Sequence, residues 1–292
     1  MATIELSGQR VEYFEQGAGE PVVLLHSTGA SSSQWRRLAA DLSDRFHVIA
    51  PDLCGYGGTA SWQGEGEISL AAEAAMIAAL IERLDQPVHL VGHSFGGAVA
   101  LRLTQERPEL VKSLVLIEPV AFHLLRAGDA IDAQAFTEIS QVAERVARAV
   151  ACGDLQGGFG RFVDYWSGEG AWEAVPAEKR GAMAQRLGKV ALDFRSALND
   201  PARLGDLADL DLPTLVIRGG TSPLPVRRIA WHLGRTLRRA QMETIERAGH
   251  MAPLTHAADV NVLVAAHLAR HATRATHAVR SVPVAALLGA VA

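Results

Sequence analysis

The stretch LVGHSFGGAVAL, residues 90–101, decides how the rest of the chain is read. An apolar run of strand length ends in Gly92-His93-Ser94-Phe95-Gly96, followed at once by Gly97 and a helical pattern. A strand that turns directly into a helix forces the residue at the apex into a strained backbone conformation. The flanking glycines remove Cβ atoms that would collide there. Ser94 is then held out above the sheet. Its place at the first turn of the helix sets backbone N–H groups and the positive helix end beside any developing oxyanion. A bare G-x-S-x-G arises by chance in many sequences, and a serine in an ordinary tight turn is the alternative. The strand before it, the helix after it and the strands further along give the motif its weight.

Working outward, apolar runs alternate with helical patterns. PVVLLH (21–26), FHVIAPD (46–52), VHLVGHS (88–94), SLVLIEP (113–119), TLVIRGG (214–220) and QMETIE (241–246) read as strands. SLAAEAAMIAALIERL (69–84) reads as a helix with Ser69 as N-cap, ending before Pro87. GGAVALRLTQERP, PVRRIAWHLGRTL and ADVNVLVAAHLARHA supply further helices. This alternation predicts the α/β class, with a mostly parallel central sheet covered by helices on both faces.

Residues 121–203 break the rhythm, reading as helix after helix without a clear strand. They are expected to be a helical lid inserted into a core made of residues 1–120 and 204–271, with 272–292 as a tail. Half of the chain's aromatic side chains crowd into the insertion, among them Phe159, Phe162 and Trp166. These three are expected to line an apolar substrate pocket. The alternative, given their helical spacing, is that they pack the insertion onto the core.

Composition narrows the partners. With 292 residues, 49% hydrophobic and 21% charged, the chain can bury a large core, and its net charge of −4 offers no broad basic field for nucleic acid. Two cysteines, Cys54 and Cys152, lack metal-ligand or redox spacing and are too few for a disulfide framework. The N-terminal MATIELSGQRVEYFEQG reads as short strands with a glycine turn rather than an apolar signal region. A cytoplasmic location is therefore expected, with no membrane partner. The terminal SVPVAALLGAVA is too short to cross a bilayer. It is expected to be a frayed end or a contact with a second copy, which leaves a homo-oligomer open.

Together these residues resemble the α/β-hydrolase fold family over about residues 10–120 and 204–270. LLHSTGASSSQW (24–35) is similar to that family's oxyanion loop, with Ser27 where glycine commonly follows the histidine. VIAPDLCGYGGT (48–59) is similar to its next strand and glycine turn, and ERAGHMAPLTH (246–256) to its catalytic-histidine loop.

A serine hydroxyl needs a base within reach to take its proton. His250, after a strand and Gly249, is the candidate. His256 lies beyond Pro253 at the start of the last helix, where it is better placed to pack or cap. His93 is adjacent to Ser94, and neighbours leave a strand in opposite directions, so it should point into the structure. His26 belongs to a motif where the resemblance implies a structural role. His267 and His271 have the spacing of a metal pair, but no acid accompanies them. No metal or cofactor is expected. The resemblance implies that the oxyanion donors are the backbone amides of Phe95 and Thr28.

The acid is the open question. The resemblance implies a carboxylate near position 222, but RGGTSPLP (218–225) holds Ser222 there. An uncharged hydroxyl cannot stabilise an imidazolium as a carboxylate does. Some members of the family place the acid after the neighbouring strand, which here ends at Glu118, so Glu118 is the candidate. Three alternatives stay open: Glu118 paired structurally with Arg218 or Arg227, Asp193 or Asp200 reaching in from the insertion, or a Ser94–His250 dyad without an acid. Asp52 precedes a glycine turn and suits fixing that loop.

These parts point to a serine hydrolase acting through an acyl-enzyme on a small-molecule substrate, most simply a small to medium, largely apolar carboxylic ester. Hydrolysis of a carbon–carbon bond beside a ketone is the second expectation. A weakly catalytic small-ligand receptor is the third. A serine nucleophile argues against epoxide hydrolase or haloalkane dehalogenase chemistry, for which related enzymes use a carboxylate.

Overall fold

The apolar runs assemble into one eight-stranded sheet in the order β1-β2-β4-β3-β5-β6-β7-β8. The computed structural model describes residues 1–6 and 8–273, so the apolar tail at 281–292 and the expectations attached to it lie outside the described residues. Strands β1 (Ala2–Leu6) and β2 (Gln9–Gln16) form an antiparallel hairpin, and β2 pairs antiparallel with β4 (Phe46–Pro51). From there the sheet is parallel through β3 (Glu20–Leu25), β5 (Val88–His93), β6 (Val111–Ile117), β7 (Thr214–Gly219) and β8 (Ala240–Ile245). The carboxyl ends of the parallel strands therefore share one edge of the sheet, where ligands of such folds collect.

Both faces are buried because side chains alternate along each strand. Val23, Leu25, Leu114 and Leu116 pack into one core with α2 (Leu70–Glu82), α3 (Phe95–Glu106) and α8 (Leu224–Thr236). Val22, Leu24, Val115 and Ile117 pack on the other face with α1 (Arg36–Leu42) and α10 (Ala257–His271). The N-cap read at Ser69 is present, its side chain accepting from the Ala72 amide at 3.1 Å. Such a cap is worth about 1 kcal/mol.

Four helices fall between β6 and β7: α4 (Ala130–Ala151), α5 (Leu155–Ser167), α6 (Ala177–Ala184) and α7 (Leu187–Asn199). Asp132 at the start of α4 accepts from Arg228 Nε at 2.7 Å and meets His232 Nε2 at 2.9 Å, tying this segment to α8. The short helix α9 (Ala252–Thr255) follows β8 and precedes α10. Among the described residues, no helix is long and apolar enough to cross a membrane.

Candidate active site

Ser94 occupies the turn between β5 and α3 with φ 55° and ψ −117°, a left-handed conformation rare for a residue with a Cβ. The glycines around it are required by close backbone approach. A Cβ at Gly92 would meet Gly96 O at 2.3 Å, and one at Gly96 would meet Leu25 O at 2.4 Å. The turn is pinned by its own backbone as well. Ser94 N donates to Ile117 O at 3.0 Å, and Val120 N donates to Ser94 O at 3.3 Å.

His250 reaches this serine from the loop after β8. Ser94 Oγ and His250 Nε2 are 2.9 Å apart, and His250 Nδ1 and Glu118 Oε2 are 3.1 Å apart. A carboxylate oxygen accepts, so Nδ1 donates to Glu118 and Nε2 is left to accept from the serine hydroxyl. Glu118 directly follows β6 and has φ 51°, a second strained position beside the first. Its amide donates to Ile217 O at 2.8 Å, and its Oε1 accepts from the Gly219 amide at 2.5 Å. Both carboxylate oxygens are thus engaged, and the side chain is fully buried. Ser222 is also buried, and its hydroxyl has no hydrogen-bond partner among the described residues.

The two expected oxyanion donors sit beside the serine. Phe95 opens α3, so its amide belongs to the first turn, where N–H groups lack intrahelical acceptors. Thr28 lies in the loop after β3 and lines the same cavity as Ser94 and His250. That cavity, of about 290 Å³, is walled by aromatic and aliphatic side chains that include Phe122, Phe159, Phe162, Trp166 and Phe194. Trp166 lies against the base itself, its ring centroid 4.0 Å from that of His250 at an interplanar angle of 33°.

A family model described as the alpha/beta hydrolase fold matches residues 20–257. The chain belongs to the α/β-hydrolase family. It is 25% identical over 270 residues to an (E)-2-((N-methylformamido)methylene)succinate hydrolase of Acinetobacter baylyi, covering 91% of this chain and 97% of that protein. A thermophilic esterase from Thermogutta terrifontis superposes with a TM-score of 0.73 at 24% identity, over 94% of this chain and 100% of that one. A meta-cleavage product hydrolase from Pseudomonas fluorescens IP01 superposes with a TM-score of 0.70 at 20% identity, over 92% and 98% of the two chains.

In this α/β hydrolase the alternative acids are bonded to groups other than the His250 imidazole. Asp193 accepts from Thr28 Oγ1 at 2.7 Å and from the Tyr56 hydroxyl at 2.6 Å, and it pairs with Lys189. Asp200 pairs with Arg102 at 3.1 Å. Arg218 donates through Nε to Thr244 Oγ1 rather than to Glu118. Asp52 accepts from the Ser32 and Gly58 amides at 2.6 and 3.0 Å, which fixes the glycine turn. His26 accepts from the Leu53 amide at 2.9 Å, and burial lowers it to about 4, so it is a neutral structural group. His256 lies in a separate surface groove with Glu243 and Asp259.

Asp193, an alternative acid by sequence, belongs instead to a buried ionic network. Lys189 Nζ joins it to Glu73 at 3.1 Å and lies over the Phe95 ring, 5.2 Å from the centroid. Burial alone would lower the Lys189 ammonium, but Asp193 and Glu73 outweigh it and raise the group above its ordinary value. Burial raises the Glu73 carboxyl despite the opposing Lys189. Arg186, at the start of α7, donates to Gly29 O at 2.8 Å. Helix α7 therefore holds the loop at Thr28 and at Gly29 and, through Lys189, reaches the ring of Phe95. No local motif announces this, because the partners are 165 residues apart in the Thr28–Asp193 pair.

Proposed function

We propose that the chain is a serine hydrolase of small to medium, largely apolar carboxylic esters, working through an acyl-enzyme. The observation that carries this reading is the continuous chain from Ser94 Oγ through His250 to Glu118, opening on an apolar cavity. Ser94 attacks the carbonyl carbon while His250 Nε2 takes its proton, and Glu118 stabilises the imidazolium and holds its tautomer. The Phe95 and Thr28 amides receive the oxyanion. His250 then protonates the leaving alcohol, and water, activated by the same imidazole, releases the acid and restores the serine.

The preference for uncharged substrates rests on the cavity wall. Among the described residues lining it, Asp193 and His250 are the ionisable ones, and no lysine or arginine is present. The Acinetobacter relative is named for a substituted succinate, a dicarboxylate. Two carboxylates in this cavity would lose their hydration without gaining a cation and would face Asp193. The likeness to an esterase of the same fold is in keeping with the ester reading.

Turnover of p-nitrophenyl esters of graded chain length tests the proposal. Hydrolysis of neutral short and medium acyl esters with a burst of nitrophenol, abolished in Ser94→Ala, supports it. Preference for a dicarboxylate, or cleavage of a carbon–carbon bond beside a ketone faster than any ester, contradicts the substrate class. Binding of small ligands without measurable turnover favours a receptor.

A further inference from the structure

His93 is fully buried, is not among the cavity-lining residues, and meets the backbone oxygen of His250 through Nε2 at 2.9 Å. A carbonyl oxygen only accepts, so Nε2 carries the proton. Burial first, and the neighbouring His250 second, lower His93 to about 3, so the ring is neutral and its Nδ1 is an acceptor. Gln34 Nε2 stands 3.1 Å from that Nδ1 and donates to it. With its NH₂ group turned to His93, Gln34 presents Oε1 to the other side. There it accepts from the Ser27 amide at 3.2 Å and the Ser27 hydroxyl at 2.9 Å. Each link sets the direction of the next, and no alternative pairing satisfies all of them.

The two ends of this chain are the two loops the reaction needs in register. Ser27 directly precedes Thr28, and the His250 carbonyl belongs to the residue whose imidazole meets Ser94. A glycine at position 27 would keep the amide and lose the hydroxyl, so the serine adds a second hydrogen bond at the Thr28 end. We propose that Ser27, Gln34 and His93 form a hydrogen-bond relay of fixed polarity that sets the separation between the Thr28 amide and the His250 imidazole. His93 and Gln34 are positioning residues in this account. Their effect on rate rests on the serine-hydrolase reading, whereas the relay itself does not.

The stakes follow from geometry. A misplacement of about 1 Å in a reacting group can cost about 100-fold in rate. Gln34→Leu removes the partner of His93 Nδ1 and of the Ser27 amide and hydroxyl, and so uncouples the two loops from each other. Its expected result is a fall in kcat of about tenfold or more, with a smaller change in KM because neither Gln34 nor His93 lines the apolar cavity. Ser27→Ala, which keeps the amide bond, is expected to cost less.

The test joins nitrogen-15 NMR of the full chain, labelled at histidine, to ester kinetics. The relay requires a neutral His93 with its proton on Nε2 wherever the parent is folded, and a shifted Nδ1 resonance in Gln34→Leu. A proton on Nδ1, or a charged His93, overturns it. Parental kcat in folded Gln34→Leu overturns the positioning role. Should Gln34→Leu fail to fold, the tautomer in the parent and kcat of Ser27→Ala decide instead, parental kcat again counting against the role. If the parent cleaves no ester, the functional reading falls while the tautomer still decides the relay.

Discussion

The indole of Trp166 lies against the imidazole of His250, with ring centroids 4.0 Å apart and planes 33° from parallel. Trp166 comes from α5, in the helical segment between β6 and β7, so that segment touches the proposed base as well as the cavity. An aromatic face stabilises a nearby cation by about 0.5–2 kcal/mol. The imidazolium formed when Ser94 gives up its proton is such a cation.

Trp166→Leu should therefore lower kcat by about tenfold, since 1.4 kcal/mol is a factor of ten. Trp166→Phe should retain most of the rate. Steady-state kinetics on both variants checks this, and an unchanged kcat in Trp166→Leu would show that the stack only fills space.

Glu118→Gln keeps an acceptor for the Gly219 amide but can turn an NH₂ group toward His250 Nδ1. That favours the tautomer whose Nε2 carries a proton and cannot accept from Ser94. In a serine protease, the matching Asp→Asn change costs about 10⁴-fold in kcat. A loss of that order is expected here with the fold retained, as read by pre-steady-state acylation and circular dichroism. Near-parental acylation would remove Glu118 from the role.

Asp193→Asn should weaken the hold of α7 on Thr28. The asparagine oxygen can keep both hydroxyl contacts, which share Oδ2, but the charge is lost and the NH₂ group then faces Lys189, which drives the side chain out of this position. The expected result is a lower kcat, a smaller change in KM and weaker binding of a trifluoromethyl ketone, whose hemiketal oxyanion would be held by the Thr28 amide in the proposed reaction. Inhibitor binding equal to the parent's would place the network outside the reaction.

Much of this architecture is legible from local pattern. The turn at Ser94 is readable because its constraint is local: two glycines, an apolar run before and a helix after. The parallel sheet is readable because both-face burial gives continuous apolar runs such as VVLL and LVLI. Glu118 is harder, since only the missing carboxylate at Ser222 directs attention to the neighbouring strand. The aromatic character of Trp166 suggests pocket lining, and nothing in the sequence indicates that it lies against His250. The Asp193–Thr28 contact and the Gln34–His93 bond join elements brought together only by folding, so no spacing rule finds them.

Acid should destabilise the fold through its buried histidines. Burial is the leading cause for each of four: His26, His89 and His267 are lowered from 6.5 to about 4, and His93 to about 3. Below pH 6.5 the unfolded chain binds protons that the folded chain refuses, so unfolding is favoured as pH falls. Their contribution is present above 6.5 and is lost progressively on the way down to about 4 and, for His93, about 3. Urea midpoints across this range should fall steadily, and a flat profile would mean that these rings are protonated in the native state.

The proposed chemistry requires Ser94 as nucleophile and His250 as its base. Labelling with a fluorophosphonate probe, followed by peptide mass spectrometry, reads both roles at once. One adduct on Ser94 is expected, with none at that site in Ser94→Ala and slow labelling in His250→Gln. An adduct on a different residue, or undiminished labelling in either variant, would contradict that chemistry.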